Sequence, residues 1–217
     1  MTYLVLKDLL LQKRMLILGF VYAFFFHFTF QGMGDKKIVS IVAMIGYLFV
    51  MMGAGWEEKN SSDKLWNSLP VPKWKIVGAK YLSPLVYGAI AIPMCWIANL
   101  VFYLVSPEYS TSITVPYVII GILVVMFLSS LFLPVFFALG YTKARYMHFA
   151  LFFGVFFLAN MIPRLFPEKP AWVDALFAKL PALSSGLGIG IFFAACVAVI
   201  VAISFVASLY LYRRREF

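Results

Sequence analysis

The side chains that could do chemistry within the apolar segments are two histidines and a pair of serines. His27 lies in an aromatic run, His148 lies much further along, and Ser129 and Ser130 are adjacent. A zinc site needs several ligands at short spacing, and neither histidine has such a neighbour. A serine and a histidine could form a hydrolytic pair, but serines in apolar helices usually bond to backbone carbonyls or neighbouring helices. We interpret these residues as structural hydrogen-bonding groups, with a substrate contact as the alternative for the histidines.

The motifs of membrane enzymes and of ATPases are missing from the sequence. It contains no H-E-x-x-H, no G-x-S-x-G and no phosphate-binding G-x-x-x-x-G-K-[ST]. We expect no cofactor in this chain and no enzyme activity of its own. An intramembrane lipid enzyme is the less favoured alternative. If the chain transports a molecule, the energy must come from a second polypeptide on the cytoplasmic side.

The elements that carry these residues are predicted to be membrane-spanning helices. The chain has 217 residues, of which 64% are hydrophobic and 12% charged, whereas about 25% of residues in soluble domains are charged. This composition argues against a nucleic-acid binder despite the net charge of +9. We predict an all-α polytopic membrane protein, a single domain over 1–217 in the lipid bilayer. The six expected spans cover residues 15–30, 38–55, 81–105, 113–140, 146–162 and 187–212.

The distribution of basic residues predicts the orientation. Thirteen of the 18 lysines and arginines fall on the side that holds both termini. The positive-inside rule places that side in the cytoplasm. No Asp, Glu, Lys or Arg falls within the apolar cores of the six spans. Because proton- and sodium-coupled transporters need such groups at membrane depth, we do not expect ion-coupled transport.

The longer cytoplasmic loop, residues 56–80, is predicted to contain a short amphipathic helix. Asp63 lies in its first turn, Pro70 ends it, and Leu65, Trp66 and Leu69 share one face. This face could rest on the membrane, which the flanking lysines would favour. It could equally contact a protein, with the tryptophan as anchor.

The external loop, residues 163–186, is predicted to contain a second short helix. One face carries the apolar residues Trp172, Leu176, Phe177 and Leu180. The helix is about 15 Å long, too short to cross a bilayer. It is either inert packing at the outer interface or a lid over a pathway.

The cytoplasmic loop resembles that of a known family, the small permease subunits of type-2 ABC exporters. The similarity rests on D-K-L-W-N-S-L-P-V-P at 63–72, on I-V-G-A-K-Y-L at 76–82, and on the two chain ends. The resemblance implies that this loop is a coupling helix that docks in a cleft of a cytoplasmic ABC ATPase. The docking residues would be Asp63, Leu65, Trp66, Leu69, Pro70 and Lys73.

The same resemblance implies the rest of the assembly. Residues 1–14 would form an interfacial elbow helix, and the external helix would be an outer gate. Two permease copies, identical or related, would pair above two ATPase subunits that hold ATP and magnesium. The membrane would be the bacterial plasma membrane. A permease that acts as a sensor or as an immunity and resistance module, without export, is the alternative function.

The resemblance is strongest to compact permeases that export amphipathic peptides, including the phenol-soluble modulin exporters. An aromatic and uncharged interior suits an amphipathic or lipid-like cargo, such as a peptide, a toxin or an antimicrobial. Candidate residues for the cargo path are Phe24, Phe26, His27 and Phe28 in span one. The alternative is that these phenylalanines face lipid.

Overall fold

The structure, a computed structural model, describes residues 2–13, 15–60, 71–150, 153 and 186–214. Within these ranges the backbone is helical apart from turns and short connections, and no strand occurs. Two 3₁₀ segments, Gln31–Lys36 and Pro107–Tyr109, precede longer helices. The helices are α1 (Thr2–Leu11), α2 (Met15–Thr29), α3 (Lys37–Lys59), α4 (Lys73–Val105), α5 (Val115–Leu139), α6 (residues 141–150) and α7 (Gly186–Arg214).

Four of the described helices are long and apolar enough to cross a membrane. They are α3 with the 3₁₀ segment before it, α4, α5 and most of α7. The axes of α1 and α2 differ by 72°, and the two would make a fifth span only if counted as one bent element. Because α1 is about 15 Å long against a hydrocarbon core of about 30 Å, we place it outside the spans.

These helices confirm the prediction of an all-α polytopic membrane protein. The count of six spans and the cytoplasmic placement of the termini stay predictions. Most of the expected span 146–162 lies outside the described residues, as does nearly all of the external loop 163–186.

Helix α4 extends well beyond the expected span 81–105. It has 33 residues, which gives a length of about 50 Å, and it begins at Lys73. Pro72 precedes the helix with extended backbone angles, as is usual for an N-cap position. About 20 Å of α4 must therefore project past the hydrocarbon core. The extra turns place Lys80 beside the polar end of α3 rather than in a loop.

The core of the bundle is built around α3, which contacts α1, α2, α4 and α5. Ile38, Ile41 and Val42 on this helix are fully buried. At Gly46 this helix packs closely against two others, because a Cβ atom there would lie 2.8 Å from the Val125 side chain on α5. It would also lie 3.5 Å from the backbone of Gly88 on α4. Helix α3 therefore packs directly against both α4 and α5.

Candidate coupling interface

The structure describes the residues on both sides of the loop that the sequence predicts to be cytoplasmic. Helix α3 continues to Lys59 and α4 begins at Lys73. Of the predicted docking residues, Asp63, Leu65, Trp66, Leu69 and Pro70 lie outside the described residues, and Lys73 lies within them.

Lys73 lies against the end of the last helix. Its ammonium group is 5.6 Å from the ring centroid of Tyr212 on α7, within range of a cation–π interaction. Tyr212 is buried and meets the Phe137 ring edge to face at 5.2 Å. The start of α4 is therefore in contact with the C-terminal end of α7.

Four charged side chains from three helices form a closed cluster, which we call the charge square. Lys7 Nζ lies 3.0 Å from Asp8 Oδ1 and 2.8 Å from Glu57 Oε1. Lys80 Nζ lies 2.8 Å from both Asp8 Oδ2 and Glu57 Oε1. Each lysine thus bridges both carboxylates. The square joins α1, which holds Lys7 and Asp8, to the end of α3 and to the N-terminal part of α4.

Because the charge square is buried, each of its charged side chains needs the opposite charges of the cluster for compensation. Asp8 is 3% exposed and Glu57 is 5% exposed. Removing one partner from a buried ion pair costs about 3–5 kcal/mol because the other charge is left without compensation. Burial favours the neutral form of the Asp8 carboxyl, but Lys80 and Lys7 hold the pKa of Asp8 below its ordinary value. The carboxylate is therefore ionised when the square is formed.

Further hydrogen bonds attach α1 and the residue that follows it to α4 beside the charge square. Ser83 Oγ donates to Asp8 Oδ2 at 3.2 Å, and Gln12 Nε2 donates to the Tyr87 hydroxyl at 2.7 Å. Gln12 also lies close to α3, because a Cβ atom at Gly53 would be 2.3 Å from its Nε2. The N-terminal helix is therefore joined to α3 and α4 by specific polar contacts as well as by apolar packing.

Glu58, the neighbour of Glu57, binds a different element. Its carboxylate accepts hydrogen bonds from the backbone N–H of Tyr141 and from the Thr142 hydroxyl. The backbone N–H of Thr142 lies 3.3 Å from Glu58 Oε1. Gly140, at φ 83, ends α5 in a conformation that favours glycine, and α6 begins directly after it. Glu58 thus caps the N-terminus of α6, where a carboxylate is stabilised by the helix dipole.

Polar contacts between α4, α5 and α7 continue this network into the bundle. The Tyr81 hydroxyl is 2.5 Å from Ser204 Oγ and 2.8 Å from Ser208 Oγ. Ser204 in turn donates to the carbonyl of Ser130. Tyr81 is next to Lys80 in α4, so the charge square and this chain of hydroxyl groups occupy one turn of the same helix. A movement of α4 would reach α7 and α5 through them.

The structure separates the residues proposed for a cargo path. His27 is fully buried, its Nε2 is 3.0 Å from the carbonyl oxygen of Tyr109, and its ring stacks on Phe102 at 4.5 Å. Phe24 also contacts the Phe102 ring, at 6.3 Å. Phe28, by contrast, is 64% exposed on the surface of the described residues.

Phe26 is half-buried and stacks on Tyr22 of its own helix and on Phe30, which follows that helix. The four candidate residues therefore do not share one face. The predicted gate residues Trp172, Leu176, Phe177 and Leu180 lie outside the described residues.

The serine and histidine candidates do not form a catalytic pair. Ser129 Oγ donates to the carbonyl of Val125 at 2.7 Å and Ser130 Oγ to that of Phe127 at 2.6 Å. Both hydroxyl groups thus bond to their own helix, as serines in spans commonly do. Among the residues that the structure describes, no group of three His, Cys, Asp or Glu side chains could hold a metal ion.

From the sequence, the charged residues of the charge square indicate only the orientation of the chain in the membrane. One signal was present: Asp8 and Lys7 are the only charged residues in T-Y-L-V-L-K-D-L-L-L. A carboxylate in such an apolar helix needs a cation nearby, since burying an unpaired charge is costly. The signal does not identify the partners, because Glu57 lies 50 residues after Lys7 and Lys80 lies 72 residues after Asp8.

The chain matches one protein family over nearly its whole length. The family is described as ABC-2 family transporter protein, and the match covers residues 3–213. The protein therefore belongs to this family and is a multi-pass permease subunit of an ABC transporter. Such a subunit has no ATPase motif of its own, and the family implies a cytoplasmic ABC ATPase as partner. Comparison with curated proteins and with solved structures gave no match.

Proposed function

We propose that this permease exports an amphipathic or hydrophobic cargo from a bacterial cell, driven by a separate cytoplasmic ATPase that binds ATP and magnesium. The cargo would be a peptide, a toxin, an antimicrobial or a lipid-like molecule. Both termini would be cytoplasmic, and two permease copies, identical or related, would pair above two ATPase subunits. The observation that carries the proposal is the arrangement of charged residues on both sides of the cytoplasmic loop.

The loop is held between two anchored helix ends. Glu57 and Glu58 precede it in the last turn of α3, and they bind α1, α4 and α6. Lys73 follows it at the start of α4 and contacts Tyr212 on α7. A force applied to residues 61–70 would therefore reach α1, α4 and α6 through Glu57 and Glu58. It would reach α7 through Lys73. This arrangement suits a loop that transmits movement.

The mechanism follows from these contacts. Binding of ATP closes the two ATPase subunits, and the docked loop moves with them. Because the charge square joins α1, α3 and α4, their cytoplasmic ends move as one unit. Glu58 carries the same displacement to α6. The cavity between the two permease copies then opens to the outside and releases the cargo.

The docking role is tested by co-purification with a cytoplasmic ABC ATPase from the same cell. Trp66→Ala and Leu69→Asp should each reduce recovery of the ATPase by about tenfold or more, because they remove the apolar anchor of the loop. Trp96→Ala is the matched control, since Trp96 is a 56% exposed tryptophan within α4. Full recovery of the ATPase with both loop variants would contradict the docking role.

Export is tested in proteoliposomes that contain the permease and the ATPase. A fluorescently labelled amphipathic peptide should accumulate in inside-out vesicles when ATP is supplied, and not when the ATPase carries a substitution that blocks hydrolysis. Resistance or peptide binding that persists without ATP hydrolysis would instead favour the sensor or immunity module. Turnover of lipid by the permease alone would favour the intramembrane enzyme.

A further inference from the structure

A cavity of about 250 Å³ lies between α2, α3, α5 and α6 within one permease subunit. Its walls are almost wholly apolar and include Phe26, Met44, Met51, Leu128 and Phe149. Met44 is 37% exposed and Phe149 is 47% exposed, so the cavity opens on the surface of the described part of the chain. Methionine side chains adapt to ligands of different shape.

Two polar side chains in this cavity have no hydrogen-bond partner within the described residues. Tyr47 is 8% exposed, and its hydroxyl group is buried and unpaired. His148 is 9% exposed, and its ring makes no hydrogen bond with the described residues. The two rings lie 4.9 Å apart between centroids. Leaving a buried polar group unsatisfied costs about 1–3 kcal/mol, so the Tyr47 hydroxyl calls for a partner that the described residues do not provide, and the His148 ring lies beside it.

The position of the pair places it in the interior of the membrane. Tyr47 is ten residues from Lys37 at the start of α3, a rise of about 15 Å. His148 is seven residues past Tyr141 at the start of α6, a rise of about 10 Å. Water is scarce at this depth, and lipid tails offer no hydrogen bonds. A bound molecule is therefore the natural partner.

We propose that this cavity binds a planar aromatic molecule that carries a single hydroxyl group. The hydroxyl oxygen would accept a hydrogen bond from Tyr47, and its proton would be donated to an unprotonated ring nitrogen of His148. The ring would lie among the apolar and aromatic walls. One hydroxyl group thus satisfies both unpaired side chains, which a purely apolar molecule cannot do.

The volume agrees with this class of ligand. A dry cavity of about 150 Å³ holds a benzene ring, so a cavity of about 250 Å³ has room for a ring system of about ten carbons. The inference deepens the proposed function, because it gives the transporter a cargo class. The claim that such a molecule is transported rests on the proposed function. Its binding does not, since binding can be measured without the ATPase.

The test uses the full-length permease in nanodiscs, without ATPase or ATP. The probe is 2-naphthol, and naphthalene is the comparison that has the same rings without the hydroxyl group. Saturable binding above that of empty nanodiscs should be about tenfold tighter for 2-naphthol, as two added hydrogen bonds imply. Equal affinity for the two molecules would overturn the proposal and identify an apolar crevice that lipid fills.

Variants locate the binding. Tyr47→Phe and His148→Phe should each weaken 2-naphthol about three- to tenfold and leave naphthalene unchanged. Leu128→Trp fills the cavity and should abolish saturable binding of both molecules. Tyr103→Phe is the matched control, because Tyr103 is 59% exposed and lies outside the cavity. Unchanged 2-naphthol affinity in Tyr47→Phe, or unchanged binding in Leu128→Trp, would overturn the proposal.

The result is independent of the export test. Selective binding of 2-naphthol by the isolated permease supports the site even if no ATP-driven transport is found. Conversely, ATP-driven transport without selective binding would leave the proposed function intact and exclude this site.

Discussion

Glu57 and Glu58 are neighbours in the last turn of α3, yet their carboxylates bind different parts of the molecule. Glu57 is 2.8 Å from both Lys7 on α1 and Lys80 on α4. Glu58 accepts hydrogen bonds at the N-terminus of α6, more than 80 residues away in sequence. The loop segment 61–70, which should meet the ATPase, begins three residues after Glu58. One helical turn therefore connects that loop to three other helices.

Replacing Glu57 with Gln should lower stability sharply. The substitution keeps the shape of the side chain but removes one of the two carboxylates that Lys7 and Lys80 share. We expect a loss of about 3–5 kcal/mol, as for other buried pairs that lose one partner. The measurement is thermal unfolding in detergent followed by tryptophan fluorescence.

Two further variants show whether the loss comes from the ion pairs. Glu108→Gln is the control, since that carboxylate is exposed in the second 3₁₀ segment, Pro107–Tyr109. The double variant Glu57→Gln with Lys7→Gln should recover more than half of the loss, because the remaining Asp8 and Lys80 charges balance. A double variant that is additively less stable would mean that the cluster does not act as a unit.

Replacing Glu58 with Ala should loosen the start of α6 and leave α1 in place. The side chain caps the helix through Tyr141 and Thr142, and losing a cap costs about 1 kcal/mol. Amide hydrogen exchange at these two residues should become about fivefold faster, whereas exchange in residues 3–10 should not change. Equal acceleration in both regions would show that the whole cytoplasmic end has loosened.

The sequence predicts the helical fold far better than it predicts this interface. Long apolar runs interrupted by charges can form only spanning helices, because unpaired backbone groups cannot be buried in lipid. The contacts between spans are different, since residues that face lipid and residues that face protein are both apolar. Nothing in the sequence indicates that Phe28 is exposed while His27, its neighbour, is fully buried.

The charge square could not be predicted from the sequence for a related reason. Its members are far apart in sequence, and lysine near a helix end already has a sufficient explanation in the positive-inside rule. Lys37 gives a second example at the other end of α3. Sequence reasoning placed it in an external loop, yet it is 2% exposed and donates to the carbonyl of Tyr109 at 2.5 Å.

Acid should destabilise the protein partly through Asp8. The pKa of this carboxyl is lower in the folded protein than its value of about 3.9 in an unfolded chain. Its contribution to stability is therefore complete above about pH 5 and is lost as pH falls through the folded pKa. Between about pH 5 and pH 3, the midpoint temperature of thermal unfolding should fall more steeply in the wild type than in the Asp8→Asn variant.

The Asp8→Asn variant should be less stable at neutral pH but show a flatter dependence on pH. Asp35→Asn is the matched control, because Asp35 is exposed in the 3₁₀ segment before α3. That control should follow the wild type at every pH. A wild-type slope that Asp8→Asn does not change would assign acid sensitivity to other carboxylates.

Two buried tyrosines should respond in opposite directions to the loss of a hydroxyl group. Tyr47 and Tyr81 are 8% and 7% exposed, but only the second has hydrogen bonds, to Ser204 and Ser208. Without ligand, Tyr47→Phe should raise stability by about 1 kcal/mol or more, since it removes an unsatisfied buried group. Tyr81→Phe should lower stability by about 1–3 kcal/mol, because it removes the hydroxyl group that bonds to both Ser204 and Ser208. Thermal unfolding of both variants in parallel gives the comparison, and a loss of stability in Tyr47→Phe would mean that its hydroxyl already has a partner in the ligand-free protein.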